Sequence, residues 1–170
     1  MLVILVGNSC TGKTSLKEEL LRQGYCAIEA SDYIRRAYEL KKVNKKEIKL
    51  PTNILAMKMI LDEYRESLYH AVLTGVRTPS ETEFLQKHLK SVLIVAIRAD
   101  YKKCYERAQK RGRDHFDSFE EFMKRSIASD LQLGLDKLSN MADLTITNNG
   151  NCMSAFLEDG ISALLPFILK

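Results

Sequence analysis

The apolar run Leu2-Val3-Ile4-Leu5-Val6 passes directly into Gly7-Asn8-Ser9-Cys10-Thr11-Gly12-Lys13-Thr14. A short run rich in branched residues and closed by glycine reads as a buried strand. A G-x-x-x-x-G-K-T segment between such a strand and a helical pattern constrains the fold more than any other stretch of the chain. Its glycines let the backbone turn tightly and gather amide N–H groups into a nest suited to phosphate oxygens. Lys13 is then expected to reach the outer phosphates, and the Thr14 hydroxyl to sit on Mg²⁺. The expected segment for binding a nucleoside triphosphate and Mg²⁺ is Gly7, Asn8, Ser9, Cys10, Thr11, Gly12, Lys13, Thr14 and Ser15.

Further strand-like runs fall at 25–28, 71–73, 92–97 and 144–147, with helical patterns between them. The first helix is expected from Lys13 to near Gly24, with Leu16, Leu20 and Leu21 on one face. A second starts at Ser31 or Asp32 and runs to about Lys42. Pro51 opens a long one in which Ile54, Met57, Ile60, Leu61, Tyr64 and Leu68 recur at helical spacing. Pro79 begins a short helix toward His88, and Asp100 is placed to cap a helix carrying Tyr101, Cys104, Tyr105 and Ala108 on one side. Ser118 with Glu121 forms a capping-box signature ahead of Phe119, Phe122, Ile127 and Leu131. A last helix covers about 153–169. Strands alternating with helices predict an α/β fold in three layers, with a largely parallel sheet covered on both faces. Ligands in such folds gather at the carboxyl ends of the strands.

The length of 170 residues and the 45% hydrophobic content suit a single domain over 1–170. The net charge of +4 is mild, and the basic excess is local, over 35–49 and 102–113. Both runs read either as solvated faces or as attractants for a second anion. Cys10, Cys26, Cys104 and Cys152 lie far apart without metal-ligand spacing, which argues for reduced thiols and a cytoplasmic protein. Cys10 lies inside the phosphate loop, where it reads either as a thiol made reactive by the amides and Lys13 or as a tolerated loop residue. His70, His88 and His115 share no ligand spacing, and no membrane anchor is expected.

Four groups follow predicted strands or join helices near their carboxyl ends. In Glu29-Ala30-Ser31-Asp32-Tyr33-Ile34-Arg35-Arg36, Asp32 can accept a proton, hold Mg²⁺ through water, or only cap the helix. Arg35 lies one helical turn on and can grip a phosphate. In Thr74-Gly75-Val76-Arg77-Thr78-Pro79, Gly75 permits close backbone approach and Arg77 presents a planar fork, the alternative being a turn with a surface arginine. The segment 107–114, with Arg107, Arg111 and Arg113, is either a solvated basic helix end or a lid that closes on a transferring phosphoryl group. Ala142-Asp143 and Asn148-Asn149-Gly150 bracket the last strand and read as a cap and a turn rather than a base-reading site.

These residues together resemble the nucleoside monophosphate kinase-like group of P-loop kinases, nearest the dephospho-coenzyme A kinases and the adenylate kinase-like proteins of archaea. Asp32-Tyr33-Ile34-Arg35 is similar to the group's D-x-x-R, and Thr74-Gly75-Val76-Arg77 to its D-G-(I/F)-R. Arg107, Arg111 and Arg113 match its lid arginines loosely. The stretch Phe119-Glu120-Glu121-Phe122, Arg125 and Ala142-Asp143 through Asn148 resemble later elements. The resemblance implies a sheet of about five strands, a substrate-binding helical region near 31–69, a short lid near 107–118 and phosphoryl transfer from MgATP to a small phosphorylated acceptor. It casts Lys13, Asp32, Arg111 and Arg113 as catalytic, and Asp32, Arg35, Arg77, Arg107 and Arg125 as acceptor-binding. Thr74 departs from the group, which often carries Asp there to organise the Mg²⁺ water shell. The expected activity is transfer to a nucleoside or deoxynucleoside monophosphate. The alternatives are transfer to a hydroxyl, with Asp32 as base, or a nucleotide-binding regulatory protein with little catalysis. A monomer or homodimer is expected; a nucleic-acid partner is disfavoured but stays open because of the lysine-rich stretch 41–49.

Overall fold

The computed structural model describes residues 1–43, 48–112 and 115–169. Five strands, β1 (Leu2–Val6), β2 (Cys26–Glu29), β3 (Ala71–Thr74), β4 (Val92–Arg98) and β5 (Leu144–Thr147), pair in the order β2-β3-β1-β4-β5. Every pairing is parallel. Parallel strands covered on both faces show apolar side chains in either direction, and all five residues of β1 are fully buried. Their alternation divides the core. Leu2, Ile4 and Val6 join Ile28, Leu73, Ile94 and Ala96 on one face; Val3 and Leu5 join Val72, Val95, Ile97 and Ile146 on the other.

Helices cover both faces. On the first lie α2 (Ala30–Val43), α3 (Thr52–Tyr64), α4 (Pro79–His88) and α7 (Leu135–Asn140). They contribute Tyr33, Met57, Ile60, Leu85 and Leu138 to the core. On the second lie α1 (Lys13–Arg22) and α8 (Met153–Ile168), with Leu16, Leu20, Phe156 and Leu164 inward. The three-layer expectation is therefore met. The crossing from β1 goes to the α1 face and the crossing from β3 to the α4 face, so a crevice opens between neighbouring strands at their carboxyl ends.

A smaller cluster lies beside this sheet. Cys104 and Ala108 of α5 (Tyr101–Arg111) pack on Phe122 of α6 (Phe119–Leu133), flanked by Tyr101, Tyr105 and Phe116. Edge-on aromatic contacts tie α6 to α5 and to the connection between them, with Tyr105 and Phe119 centroids 5.6 Å apart and those of Phe116 and Phe122 5.1 Å apart. Gly112 ends α5 at φ 60°, a left-handed position that glycine adopts at little cost.

Several expectations are corrected. The long helix after Pro51 stops at Tyr64, and Leu68 lies in a separate 3₁₀ turn, Ser67–His70. Leu68 is still fully buried, so its spacing carried the burial signal and not the helix boundary. Asp100 occupies the N-cap position of α5 without a side-chain cap; its amide donates to Asn149 Oδ1 at 2.7 Å. Ser118 does cap α6, accepting from the Glu121 amide at 3.1 Å, but the Glu121 carboxylate reaches the Asp117 amide at 2.8 Å. Of the apolar residues expected along α6 only Phe122 is buried, and Leu131 is 64% exposed. Because α2 starts at Ala30, Ser31 and Asp32 lie inside its first turn and do not precede it.

Candidate active-site cleft

The crevice at the strand ends is a cavity of about 790 Å³. Gly7, Ser9, Cys10, Lys13 and Thr14 line it from the loop after β1, Asp32 and Arg35 from α2, and Arg77 from the turn after β3. Arg111 and Arg125 line it from α5 and α6. One cavity thus gathers most of the side chains singled out in the sequence from five separate segments. Arg113 lies outside the described residues.

The loop after β1 is built by contacts to its neighbours. Gly7 has φ 141°, and a Cβ there would lie 2.2 Å from the Ile97 carbonyl oxygen of β4. Gly12, at φ 109°, faces the Asn148 side-chain nitrogen and the Phe156 ring, at 2.5 and 2.9 Å from where a Cβ would stand. These two approaches leave room for glycine alone. Cys10 takes a left-handed φ of 63°, unusual outside glycine, with its sulfur 3.9 Å from Arg111 Nη1. The Lys13 ammonium curls into the loop and donates to the carbonyls of Gly7 and Asn8 at 2.6 Å each. Burial, reinforced by repulsion from Arg77, brings its pKa down to about 8.

Arg107 does not line the cleft, contrary to its expected place among acceptor-binding groups. Its guanidinium donates to the Cys10 carbonyl at 3.2 Å, and to the Asn148 carbonyl and side-chain oxygen at 2.9 and 3.1 Å. Asn148 in turn donates to the Thr11 carbonyl at 2.8 Å. Thr11 and Asn148 are both 2% exposed. Asn8 donates from its side chain to the Tyr101 hydroxyl at 3.1 Å, and Ser15 follows in the first turn of α1.

Arg77 is fixed through its backbone. The buried Glu81 carboxylate, 1% exposed, accepts from the Arg77 and Thr78 amides at 2.7 and 2.9 Å. Asp32 and Arg35 form an exposed ion pair one helical turn apart, facing the cleft. Arg125 pairs with Glu121 and lies over the Phe116 ring, 5.5 Å from its centre.

Four further groups in or behind the cleft hold places that the sequence did not assign them, Asn148 having read there as part of a turn and Glu29 only as a neighbour of Asp32. Glu29 ends β2 and accepts from Thr74 Oγ1 at 2.7 Å, Lys17 Nζ at 3.3 Å and Ser31 Oγ at 3.2 Å. Burial pushes its pKa up, but these donors outweigh it and hold the carboxyl below its usual range. Asp130 lines the cleft from α6 with a buried carboxylate oxygen that has no partner among the described residues, and burial raises its pKa. Glu81 and Asn148 act behind the lining. The spacing Thr78-Pro79-Ser80-Glu81, with glutamate three residues after the threonine, was a readable capping-box signal for Glu81. Glu29 and Asn148 depend on contacts across 45 and 137 residues and had no local signal.

Among the described residues no group of three or more His, Cys, Asp or Glu is placed to hold a metal by itself, and no helix is long and apolar enough to cross a membrane.

A family model described as an AAA domain matches residues 3–126. A UPF0200 protein of Staphylothermus marinus is 27% identical over 166 residues, covering 91% of this chain and 87% of its own length. Another from Pyrococcus horikoshii is 28% identical, covering 88% of each. Among solved structures, a shikimate kinase from Bacteroides thetaiotaomicron superposes with a TM-score of 0.67 at 13% identity, over 100% of this chain and 99% of that one. A gluconokinase from Sinorhizobium meliloti gives 0.63 at 13% identity, over 99% and 93%. At these identities the likeness to the two kinases is one of fold. With the family model spanning most of its length, this chain belongs to the AAA-domain family, as a nucleotide-binding protein with a P-loop kinase-like fold.

Proposed function

We propose that the protein is an ATP-dependent small-molecule kinase whose acceptor is a nucleoside or deoxynucleoside monophosphate. The observation that carries this reading is the shared cavity: Arg35 and Arg77 face the same space as the glycine-bounded loop and Lys13. A triphosphate alone needs the loop. Two further guanidinium groups, delivered from α2 and the β3 turn, supply a second anion site beside the first.

In this reading residues 7–15 hold the ATP phosphates through backbone amides and Lys13. Arg35 and Arg77 orient the acceptor phosphate, with Asp32 steering Arg35 through their ion pair. Arg111 and Arg125, carried by the α5–α6 lobe, neutralise charge that develops on the transferring group. Arg113 belongs to the same proposed lid, near 107–118. Arg107 acts from behind by holding the loop to Asn148. The oxygen donors present, led by the Thr14 hydroxyl, suit Mg²⁺, which supplies charge neutralisation on the phosphates when bound. Phosphoryl transfer depends mainly on positioning and charge, so no covalent nucleophile is required. The exposed Asp32–Arg35 pair lies in the helical region proposed to bind the acceptor, about 31–69.

The test is MgATP with a panel of ribo- and deoxyribonucleoside monophosphates, dephospho-coenzyme A, shikimate and gluconate, reading ADP release and product mass. Turnover confined to monophosphates supports the reading. Turnover on a hydroxyl acceptor alone replaces it, and tight ATP binding without any turnover favours a regulatory protein.

A further inference from the structure

Glu29 and Thr74 are register partners on the parallel strands β2 and β3, and both side chains line the floor of the cleft. Thr74 is 1% exposed and donates its hydroxyl to one Glu29 oxygen, which also receives Lys17 Nζ; Ser31 donates to the other. The carboxylate is therefore held in one orientation. The backbone at Gly75 leaves space for it, since a Cβ there would lie 2.2 Å from Glu29 Oε1.

Thr14 and Lys17 are three residues apart on α1 and share a face. The Lys17 contact therefore brings Glu29 to the side of α1 that carries the Thr14 hydroxyl, and both line the same cavity. Of the other carboxylates lining it, Asp32 is taken by Arg35 and Asp130 stands on α6. Mg²⁺ favours oxygen ligands, dehydrates reluctantly and is commonly held by phosphates with one or two carboxylates, often through its waters.

We propose that Glu29, fixed by Thr74, is the carboxylate that orients the hydrated Mg²⁺ of a bound nucleoside triphosphate, so that β2 supplies across the ladder the negative charge that position 74 lacks. Glu29 is a positioning residue in this role, and the inference rests on residues 7–15 being a triphosphate site.

The test measures ATP binding by calorimetry, with Mg²⁺ and with EDTA, for the natural protein, Glu29→Gln and the double variant Glu29→Gln/Thr74→Asp. Glu29→Gln is expected to keep its affinity for metal-free ATP and to lose about 10- to 100-fold of the Mg²⁺-dependent gain. The double variant, with a carboxylate on the register partner, is expected to recover part of that gain. Thr74→Val, which frees Glu29 to swing, should show a weaker loss of the same kind and serves if Glu29→Gln does not fold. An unchanged Mg²⁺ gain in folded Glu29→Gln or Thr74→Val overturns the proposal and leaves the triphosphate site standing. Failure of the natural protein to bind ATP at all overturns both.

Discussion

Arg107 and Asn148 lock the phosphate loop to the far end of the sheet: one guanidinium nitrogen donates to both the carbonyl and the side-chain oxygen of Asn148, at 2.9 and 3.1 Å. Another Arg107 nitrogen holds the Cys10 carbonyl at 3.2 Å, while Asn148 holds that of Thr11 at 2.8 Å. Removing the guanidinium strands buried acceptors, and charged hydrogen bonds of this kind are worth roughly 1.5–3 kcal/mol each. Arg107→Ala is expected to lower unfolding stability by about 2–4 kcal/mol and weaken ATP binding, with little effect on acceptor KM. Urea denaturation and nucleotide titration check this. Arg107→Lys should recover little, because an ammonium cannot span three acceptors in one plane.

The sheet was legible in the sequence and this lock was not. Strands buried on both faces announce themselves as continuous apolar runs, and Leu2–Val6 matches its expected bounds at both ends. The phosphate loop is equally local, because its glycines answer steric demands within a few residues. Arg107 looked like one more lid arginine, since the position of Asn148 beside the loop arises only when β5 adds to β4. The apolar residues of α6 misled for a related reason. Ile127 and Leu131 lie one turn apart and share a face, but that face is opposite the one carrying Phe122, so burying Phe122 against α5 leaves them exposed.

Lys13 gives a pH dependence whose sign is fixed by its surroundings. Burial lowers its pKa from 10.5 to about 8, so in the free protein the ammonium is lost as pH rises through 8. Phosphate oxygens favour the charged form and raise that pKa again in the complex. ATP affinity should therefore be flat below about pH 7 and fall by up to about tenfold per pH unit above 8, with proton uptake on binding. The linked effect on folding has the opposite slope. The unfolded chain holds this proton up to 10.5, so Lys13 makes the fold more stable as pH climbs from about 8 towards 10.5, and that increment is lost on falling back through 8. Calorimetry in buffers of different ionisation enthalpy measures the uptake. A Lys13→Met protein should bind ATP weakly at every pH, without the step.

Arg35 and Arg77 are expected to separate the two substrates. Replacing either by Ala should raise the acceptor KM about 10- to 100-fold while the ATP KM moves less than about threefold, given 1.5–3 kcal/mol per charged contact. Arg35→Ala should also release Asp32, whose present partner it is. Equal effects on both substrates would place these arginines outside the acceptor site. Steady-state kinetics on the monophosphate that responds best decides between the outcomes.

Glu81 offers a way to disturb Arg77 without touching it. Its buried carboxylate accepts from two successive amides, at 2.7 Å from Arg77 and 2.9 Å from Thr78, and so fixes where the Arg77 side chain leaves the backbone. It also places an acidic group at the start of α4, where the unpaired amides and the helix dipole favour negative charge. Glu81→Ala leaves both amides buried without an acceptor and should cost about 2–4 kcal/mol of stability. Glu81→Gln keeps the shape and one oxygen, so it should fold nearly as well while loosening the turn. The expected signature for the glutamine variant is a severalfold rise in acceptor KM with ATP binding unchanged, and no added effect in an Arg77→Ala background. A KM that rises equally with and without Arg77 would show that Glu81 only stabilises α4.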